Sequence, residues 1–275
     1  MKNFFKKFVA VATMATMLLT TAACGGSQEA PADGGADAAV VDSVQKIKDR
    51  GVLKVGVKVD VPKFGYKNTS TGEVEGFEID LAKKIAGEIL GDESKIEVQA
   101  VTAKTRGPLL DNGEIDLVIA TFTITEERKE TYNFSDPYFT DGVAMLVKKD
   151  AGFTGFKDMD GATIGVAQSA TSKDALSKAA EEIGITVNFS EFASYPELKA
   201  ALDSGRIDVF SVDGAILAGY VDESSEILPD RFDPQEYGVA SKKSNTDLAE
   251  TVNKVVNDLK ASGEMDTMLA KWELK

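Results

Sequence analysis

The chain has 275 residues, of which 43% are hydrophobic and 28% are charged, so it can bury a large core and is not disordered overall. It contains no histidine and one cysteine, which excludes Ser-His-Asp and Cys-His catalysis, histidine-based zinc sites and an internal disulfide. The formal net charge of −14 argues against binding nucleic acid through a basic surface.

The first 23 residues have the features of a bacterial export signal. Three lysines precede an apolar run, Phe8 to Leu19, which is too short to span a membrane. Small residues follow and end at Cys24, which resembles the lipidated cysteine of a bacterial lipoprotein, although Thr21 stands where leucine is usual. We expect removal of residues 1–23 and lipidation of Cys24, which would anchor the protein to the outer face of the cell membrane. Ordinary secretion with a free thiol is the alternative.

The segment after Cys24 has the composition of a flexible linker. Between Cys24 and Ala39 there is no Leu, Ile, Val, Phe, Tyr or Trp, so this segment cannot bury enough apolar surface to become ordered. We expect residues 24–43 to be a tether that holds a soluble body near the membrane. Removing the signal takes away three lysines and no acidic residue, so the net charge changes from −14 to −17.

Short apolar runs alternate with helical patterns along the rest of the chain. In residues 77–90, for example, Phe77, Leu81, Ile85 and Ile89 recur every four positions and Gly91 marks the end of a helix. The predicted elements are, in chain order, strand 53–57, helix 77–90, strand 96–101, helix 105–112, strand 117–120, helix 126–130, strands 143–147 and 163–167, helix 171–183, strand 186–190, helix 195–204, strand 208–212, and helices 246–262 and 264–272. This alternation predicts an α/β fold in which helices cover parallel sheets.

Two stretches of the chain follow the same plan. Residues 110–117 (LDNGEIDL) reappear as residues 202–209 (LDSGRIDV), and both contain a helix end, a glycine and the start of a strand. One interpretation is that the repeat only reflects a common way to join a helix to a strand. The other is that the chain forms two similar lobes whose strand ends face one cleft. Thr121 and Asp213 then occupy equivalent positions just beyond their strands.

Three motifs in this order resemble a known family. They are Gly76–Leu81 (GFEIDL), Thr121–Arg128 (TFTITEER) and Phe134–Tyr138 (FSDPY). Their combination resembles the polar amino-acid solute-binding proteins of ABC importers, and the resemblance covers about residues 45–272. Residues 103–113 and 190–196 are similar to the aspartate/glutamate-binding branch of that family.

The resemblance implies a type II periplasmic-binding-protein-like clamp. Each lobe would be a mostly parallel sheet flanked by helices, and two crossing strands near residues 138–143 and 234–238 would form the hinge. Residues 44–139 and 238–275 would make the large lobe, and residues 140–237 the small lobe. The implied function is capture of an amino acid by hinge closure and delivery to the permease of an ABC importer. A monomer is the default of that family. The residues themselves show no paired carboxylates with a nucleophile and no calcium-binding loop, so we expect no enzyme activity, no cofactor and no metal.

Four residues match the family positions that hold the α-amino and α-carboxyl groups of the ligand. Arg128 would bind the α-carboxylate in two parallel hydrogen bonds, assisted by Thr123 and by the helix start at Thr171. Asp213 would bind the ammonium group. Three of them have a structural alternative: Arg128 could pair with glutamates on its own helix, Asp213 could serve only to cap the helix that follows, and Thr171 could cap its helix, which is compatible with ligand binding.

A second group of residues would bind the ligand side chain. Lys58 and Arg106 match basic positions of the aspartate/glutamate branch, and Thr121 and Tyr195 could add neutral donors. Two desolvated cations would disfavour an uncharged ligand, which is why we expect aspartate or glutamate before glutamine. The alternatives are a solvated strand end for Lys58, an ion pair with Asp111 or a surface role for Arg106, and packing for Tyr195.

Three further questions remain open from the sequence. The family stacks an aromatic side chain on the ligand near the first strand, and either Phe64 or Tyr66 could serve here. A few relatives on this fold are dehydratases, for which Glu78 or Asp80 would be the candidate acid. An added adhesion or sensory role is also compatible with the same clamp.

Overall fold

The computed structural model of the chain describes residues 42–275. The predicted export signal, the lipidation site Cys24 and most of the predicted tether lie outside these residues. The last two tether residues are exceptions and correct the predicted boundary. Asp42 caps a helix by accepting from the N–H of Gln45, and Ser43 begins that helix and donates a hydrogen bond to Asp247. Within residues 42–275, no helix is long and apolar enough to cross a bilayer.

The helices of the described part of the chain cover the sheets. They are α1 (Ser43–Arg50), α2 (Phe77–Leu90), α3 (Arg106–Asn112), α4 (Glu126–Thr131), α5 (Ser172–Ile183), α6 (Tyr195–Asp203), α7 (Gly214–Leu217), α8 (Thr246–Ser262) and α9 (Glu264–Lys271), with a 3-10 turn at Phe156–Asp158. The strands are β1 (Leu53–Val57), β2 (Asp60–Val61), β3 (Gly65–Lys67), β4 (Val74–Glu75), β5 (Ile96–Ala100), β6 (Leu117–Ile119), β7 (Tyr132–Phe134), β8 (Phe139–Lys148), β9 (Thr163–Ala167), β10 (Asn188–Phe192), β11 (Val209–Asp213), β12 (Ser225–Ile227), β13 (Phe232–Tyr237) and β14 (Ala240–Lys242).

Two sheets organise the molecule. The first has the order β5-β1-β6-β14-β7 and the second the order β10-β9-β11-β8-β12, with β13 paired to β8. In both sheets the strands joined by helices are parallel, whereas the remaining strands run antiparallel. The fold is therefore the expected α/β clamp, but the sheets are mixed rather than mostly parallel. A small antiparallel sheet, β2-β3-β4, lies between β1 and α2 in the chain.

The strands β8 and β13 connect the regions of the two sheets. They pair antiparallel, from Phe139 opposite Tyr237 to Phe232 opposite Val143. All described strands of the first sheet come before residue 139 or after residue 239, and those of the second lie between. These are the segments in which the sequence analysis placed the crossings, and the lobe boundaries themselves stay a prediction.

The repeated plan has a counterpart in the packing of two glycines. A Cβ at Gly56 of β1 would lie 2.5 Å from Ile115, and a Cβ at Gly165 of β9 would lie 2.4 Å from Ile207. Ile115 and Ile207 occupy the same position in the repeated stretch of sequence. Each sheet thus brings the isoleucine that precedes β6 or β11 against the bare backbone of the neighbouring strand, β1 or β9, which supports two lobes of similar construction.

The strongly periodic elements match the prediction within two residues, and the others differ for physical reasons. The expected strand 143–147 is the centre of the longer β8, because its first residues pair with β13 rather than with the sheet core. Helix α1 was not expected, and it packs through the buried Ile47. The glycine before α2 has a φ of 140°, and a Cβ there would lie 2.1 Å from the carbonyl oxygen of Phe64. Gly76 therefore fixes the start of α2 and the position of Glu78.

Candidate functional site

The predicted site residues come from the ends of strands and the starts of helices. Lys58 follows β1, Thr121 follows β6, Asp213 ends β11, and Arg106 and Tyr195 begin helices. All five side chains are buried, at 1–4% exposure, although four of them are polar or charged residues that normally face water. The structure thus brings these five predicted residues into a polar interior between the two sheets.

Arg106 is the most unusual of these side chains. Its Nη1 donates hydrogen bonds to the carbonyl oxygens of Ala120 (2.7 Å) and Thr121 (3.1 Å). Its Nε is buried without a hydrogen-bond partner, and within residues 42–275 its guanidinium group forms no ion pair. The pairing with Asp111 considered from the sequence does not occur, since Asp111 accepts a hydrogen bond from Tyr132 instead. Arg106 is a buried cation without a compensating carboxylate in contact.

Lys58 differs from the expectation. It is neither a solvated strand end nor a free cation, because its Nζ lies 3.0 Å from Oδ1 of Asp60. The same Nζ is 4.4 Å from the centre of the Tyr195 ring. Burial lowers the pKa of Lys58, and the carboxylate of Asp60 opposes this effect. The Lys58–Asp60 pair is therefore neutral as a unit, which removes one of the two surplus positive charges inferred from the sequence.

Arg128 lies at the edge of the same interior. Its Nη1 donates to the carbonyl oxygen of Thr123 (2.7 Å) and its Nη2 to that of Ser169 (3.1 Å). Burial, followed by the positive charge of Arg106, lowers its pKa to about 9, so it stays protonated at neutral pH. Both guanidinium groups lie over the ring of Phe122, at 4.1 Å for Arg106 and 4.7 Å for Arg128. Arg128 makes no ion pair with the glutamates of α4.

Asp213 is a buried carboxyl that does not cap its helix. It occupies the N-cap position of α7, but its side chain makes no capping hydrogen bond there. It accepts a hydrogen bond from the hydroxyl of Tyr237 instead. Burial raises the pKa of Asp213 to about 7, against the lowering effect of that hydrogen bond. The structural alternative of helix capping is thus not realised.

The two threonines meet at one amide. The hydroxyl of Thr123 donates to Oε1 of Gln235 (2.8 Å), and the hydroxyl of Thr171 donates to the same oxygen (2.7 Å). Gln235 is completely buried on β13 and its own amide group donates to the carbonyl oxygen of Asp233. Thr171 is the N-cap residue of α5 without a side-chain capping bond. Gln235 therefore ties together residues from both sheet regions.

Glu78 completes the interior. Its Oε1 accepts hydrogen bonds from the backbone N–H of Thr121 and from the hydroxyl of Tyr138, both at 2.6 Å, while its Oε2 is buried without a partner. Burial raises the pKa of Glu78 to about 7. Thr121 has a φ of 44°, an uncommon conformation for a residue with a side chain, and its hydroxyl is also buried without a partner.

Several contacts of the site were not found from the sequence. Asp60, Gln235 and Tyr237 all contact predicted residues, but the hydrogen bond between Thr123 and Gln235 joins positions 112 residues apart. Phe122, over whose ring both guanidinium groups lie, is the missed residue that its place in the TFTITEER motif could have identified. Of the two aromatic candidates, Phe64 packs in the core against Phe139 and Tyr237, and Tyr66 is 36% exposed on β3.

The described residues contain no group of three or more acidic or cysteine side chains arranged to hold a metal ion. What they offer is a set of charged and titratable groups of both signs: two guanidinium groups, one neutral ion pair and two carboxyls with raised pKa values. Such a set can hold a small zwitterion, because separate groups of opposite sign face its two charged ends.

The sequence of this chain is similar to those of known binding proteins. Residues 53–275 match the profile of the bacterial extracellular solute-binding proteins, family 3. A glutamine-binding protein of Geobacillus stearothermophilus is 42% identical over 91% of this chain and 98% of its own length. An L-glutamate/L-aspartate-binding protein of Pseudomonas aeruginosa is 29% identical over 84% of this chain and 79% of its own length.

A solved structure shows the same fold. The ancestral amino acid-binding protein AncCDT-1, a precursor of cyclohexadienyl dehydratase, superimposes with a TM-score of 0.73 and 31% identity. The match covers 84% of this chain and 99% of that chain. The α/β clamp expected from the sequence is thus confirmed by similarity to solved structures.

Proposed function

The chain belongs to the bacterial extracellular solute-binding proteins, family 3, which serve ABC importers of polar amino acids, and on this premise we propose that it binds L-aspartate or L-glutamate. In this proposal the protein closes around the amino acid outside the cytoplasm and delivers it to the permease subunits of an importer. One observation carries the choice of ligand: Arg106 is a buried guanidinium group with an unpartnered Nε and no ion pair among the described residues.

The groups common to all amino acids are held at the outer part of the site. Arg128 binds the α-carboxylate, assisted by Thr123 and by the start of α5 at Thr171. Asp213 binds the ammonium group, because its carboxyl is buried, does not cap α7 and is held in position by a hydrogen bond from Tyr237. A carboxylate with a raised pKa is stabilised in its ionised form by an approaching cation.

The side chain of the ligand lies toward Arg106, Thr121, Lys58 and Tyr195. Since Lys58 is neutralised by Asp60, Arg106 is the cation left for a second carboxylate. A buried cation without a partner is unfavourable by several kcal/mol, and an acidic side chain would remove that penalty. The Lys58–Asp60 pair then acts as a polar wall rather than as a second counter-charge.

Glutamine is the second candidate. The relative from Geobacillus is named for glutamine, and pairing of Lys58 with Asp60 lowers the number of free positive charges in the site. The carbonyl oxygen of a glutamine side chain could also accept hydrogen bonds from Arg106. It would leave the charge of Arg106 uncompensated, which is why we place the acidic amino acids first.

Closure of the clamp is supported by contacts between the two sheet regions. Arg128 donates to Ser169, Tyr220 donates to the carbonyl oxygen of Asp60, and Gln235 accepts from Thr123. We propose that β8 and β13 form the hinge between a large lobe of residues 44–139 and 238–275 and a small lobe of residues 140–237. These contacts would form as the lobes close.

Lipidation of Cys24 and a monomeric state belong to the same proposal. A lipid-anchored receptor would stay near the membrane, where its permease partner lies. Replacing Cys24 with serine should move the protein from the membrane fraction to the soluble fraction. Its retention in the membrane fraction would contradict the anchor.

We propose a binding protein rather than an enzyme, although one structural neighbour is a precursor of a dehydratase. The relatives reported above are named as binding proteins. Glu78 is the candidate acid for catalysis. Its Oε1 accepts hydrogen bonds from Thr121 and Tyr138, so we propose that Glu78 stabilises the interior of the site rather than acting as an acid.

Isothermal titration calorimetry on the ligand-stripped protein tests the proposal. We expect L-aspartate and L-glutamate to bind with a dissociation constant of about 1 μM or lower, which corresponds to roughly −8 kcal/mol. Glutamine should bind more weakly. Heat with glutamine or arginine but none with either acidic amino acid would contradict the choice of ligand. No heat with any amino acid would contradict the function.

A further inference from the structure

The interior of the site contains one carboxyl that the proposed binding scheme does not use. Glu78 is completely buried in the first turn of α2, and its Oε2 has no hydrogen-bond partner. It lies on the opposite side of Thr121 from Arg106: Glu78 accepts from the N–H of Thr121, and Arg106 donates to the carbonyl oxygen of the same residue. Glu78 and Arg106 thus hold one strained residue from both ends.

The charges around Glu78 come from three elements. Tyr138, before β8, donates to Glu78 and stays neutral, because burial and the nearby carboxylate raise its pKa well above 10. Arg106 of α3 and Lys58 after β1 are the nearby cations, and Lys58 is paired with Asp60. Arg106 is therefore the one cation of this group whose charge Glu78 can compensate.

We propose that the protonation state of Glu78 sets which charge class of amino acid the site prefers. This inference rests on the proposed function and deepens it. Neutral Glu78 leaves the positive charge of Arg106 to an acidic ligand side chain. Ionised Glu78 compensates Arg106 from within the protein, so that a second carboxylate is repelled and an uncharged polar side chain such as that of glutamine becomes favoured.

The expected direction with pH follows from this charge balance. Burial raises the pKa of Glu78 to about 7, so the group changes its charge near neutral pH. Below that value Glu78 carries a proton and does not repel an acidic ligand side chain. Above it, an acidic ligand must either drive a proton onto Glu78 or bind beside its negative charge, and its affinity falls by up to about tenfold per pH unit.

The test is the ratio of the dissociation constants of L-glutamate and L-glutamine, measured by calorimetry from about pH 6 to about pH 8.5. The ratio isolates Glu78, because Asp213 faces the ammonium group that both ligands share and so affects both equally. We expect the ratio to rise by about tenfold or more over this range. Binding of glutamate above neutral pH should also take up more protons than binding of glutamine.

Two variants link the effect to Glu78. In Glu78→Gln the carbonyl oxygen can still accept from Thr121 and Tyr138, so we expect a stable protein whose ratio stays low and does not change with pH. In Tyr138→Phe the ionised carboxylate loses a donor, so the rise should begin at higher pH. The wild-type series and Tyr138→Phe remain decisive should Glu78→Gln fail to fold.

The outcomes separate this inference from the function on which it rests. If both ligands bind but the ratio of their dissociation constants stays within about twofold over the pH range, the role of Glu78 is contradicted and the proposed function is not. The same rise in Glu78→Gln as in the wild type would also contradict that role. If neither the wild type nor Glu78→Gln binds an acidic amino acid at any pH, both the proposed function and this inference are contradicted.

Discussion

At the scale of single residues, the fold keeps apart the two charged groups proposed to bind the ends of the ligand. Asp213 and Arg128 lie in the same interior yet bind different partners, Tyr237 for the first and backbone carbonyl oxygens for the second. A direct ion pair between them would neutralise both groups. Their separation leaves each available to one end of a zwitterion, which is the electrostatic requirement for recognising an α-amino acid.

The Asp213 carboxyl gives a prediction on pH. Its pKa is raised to about 7 by burial, so below that pH an incoming ammonium group must displace a proton. We expect the affinity for glutamine, on which protonation of Glu78 acts in the same direction, to fall by up to about tenfold per pH unit below neutral pH. Asp213→Asn should lower the affinity for every amino acid by about 100-fold or more. Unchanged glutamine binding in Asp213→Asn would rule out this carboxyl as the ammonium site.

The Arg106 side chain gives a prediction on ligand class. In Arg106→Gln the buried positive charge is lost, so glutamate should lose about 100-fold in affinity and glutamine about tenfold or less. Arg206→Gln is the matched control, because Arg206 is exposed beyond α6 and should leave both affinities unchanged. Calorimetry with both ligands measures the difference. Equal losses for the two ligands would show that Arg106 supports the fold rather than the side-chain carboxylate.

At the scale of the elements, the turn before α2 connects backbone geometry to the site. Gly76 has a φ of 140°, and its Cβ would meet the carbonyl oxygen of Phe64, whereas Gly72 has open space around its Cβ. We expect Gly76→Ala to lower the free energy of unfolding by about 3 kcal/mol or more, and Gly72→Ala by about 1 kcal/mol. Urea unfolding followed by circular dichroism measures both. Similar losses for the two variants would mean that the close contact with Phe64 does not decide the turn.

The elements also show what the sequence could and could not predict. Helix α2 and strand β1 were predicted with their observed bounds, because their apolar residues follow a clear period and Gly91 ends the helix. The length of β8 was missed, since its first residues depend on pairing with β13, which is far along the chain. Local patterns do not contain such pairings.

The same limit applies to the site. The family motifs predicted which side chains come together, and the repeat pointed to Thr121 and Asp213 at strand ends. Partners that neutralise or anchor them were not predicted, because Asp60 and Gln235 belong to no motif. The pairing of Lys58 with Asp60 changed the charge argument, and this came from the folded geometry alone.

At the scale of the whole molecule, ligand binding and shape should be coupled. The contacts of Arg128 with Ser169 and of Gln235 with both threonines join the two sheet regions. We expect the radius of gyration of the ligand-stripped protein, measured by small-angle X-ray scattering, to fall when L-glutamate is added. Ligand at about 100 times its dissociation constant should also stabilise the fold by about 2.7 kcal/mol. Arg128→Ala should show neither effect, and compaction without stabilisation in the wild type would contradict the coupling.

The central claim is that a buried interior of opposite charges holds an acidic amino acid by both ends and by its side chain. A crystal structure grown with L-glutamate tests this most directly. The account predicts the ammonium group at Asp213, the α-carboxylate at Arg128 and the side-chain carboxylate at Arg106. Glutamate bound with its side chain directed away from Arg106, or a cleft without glutamate at saturating concentration, would contradict it.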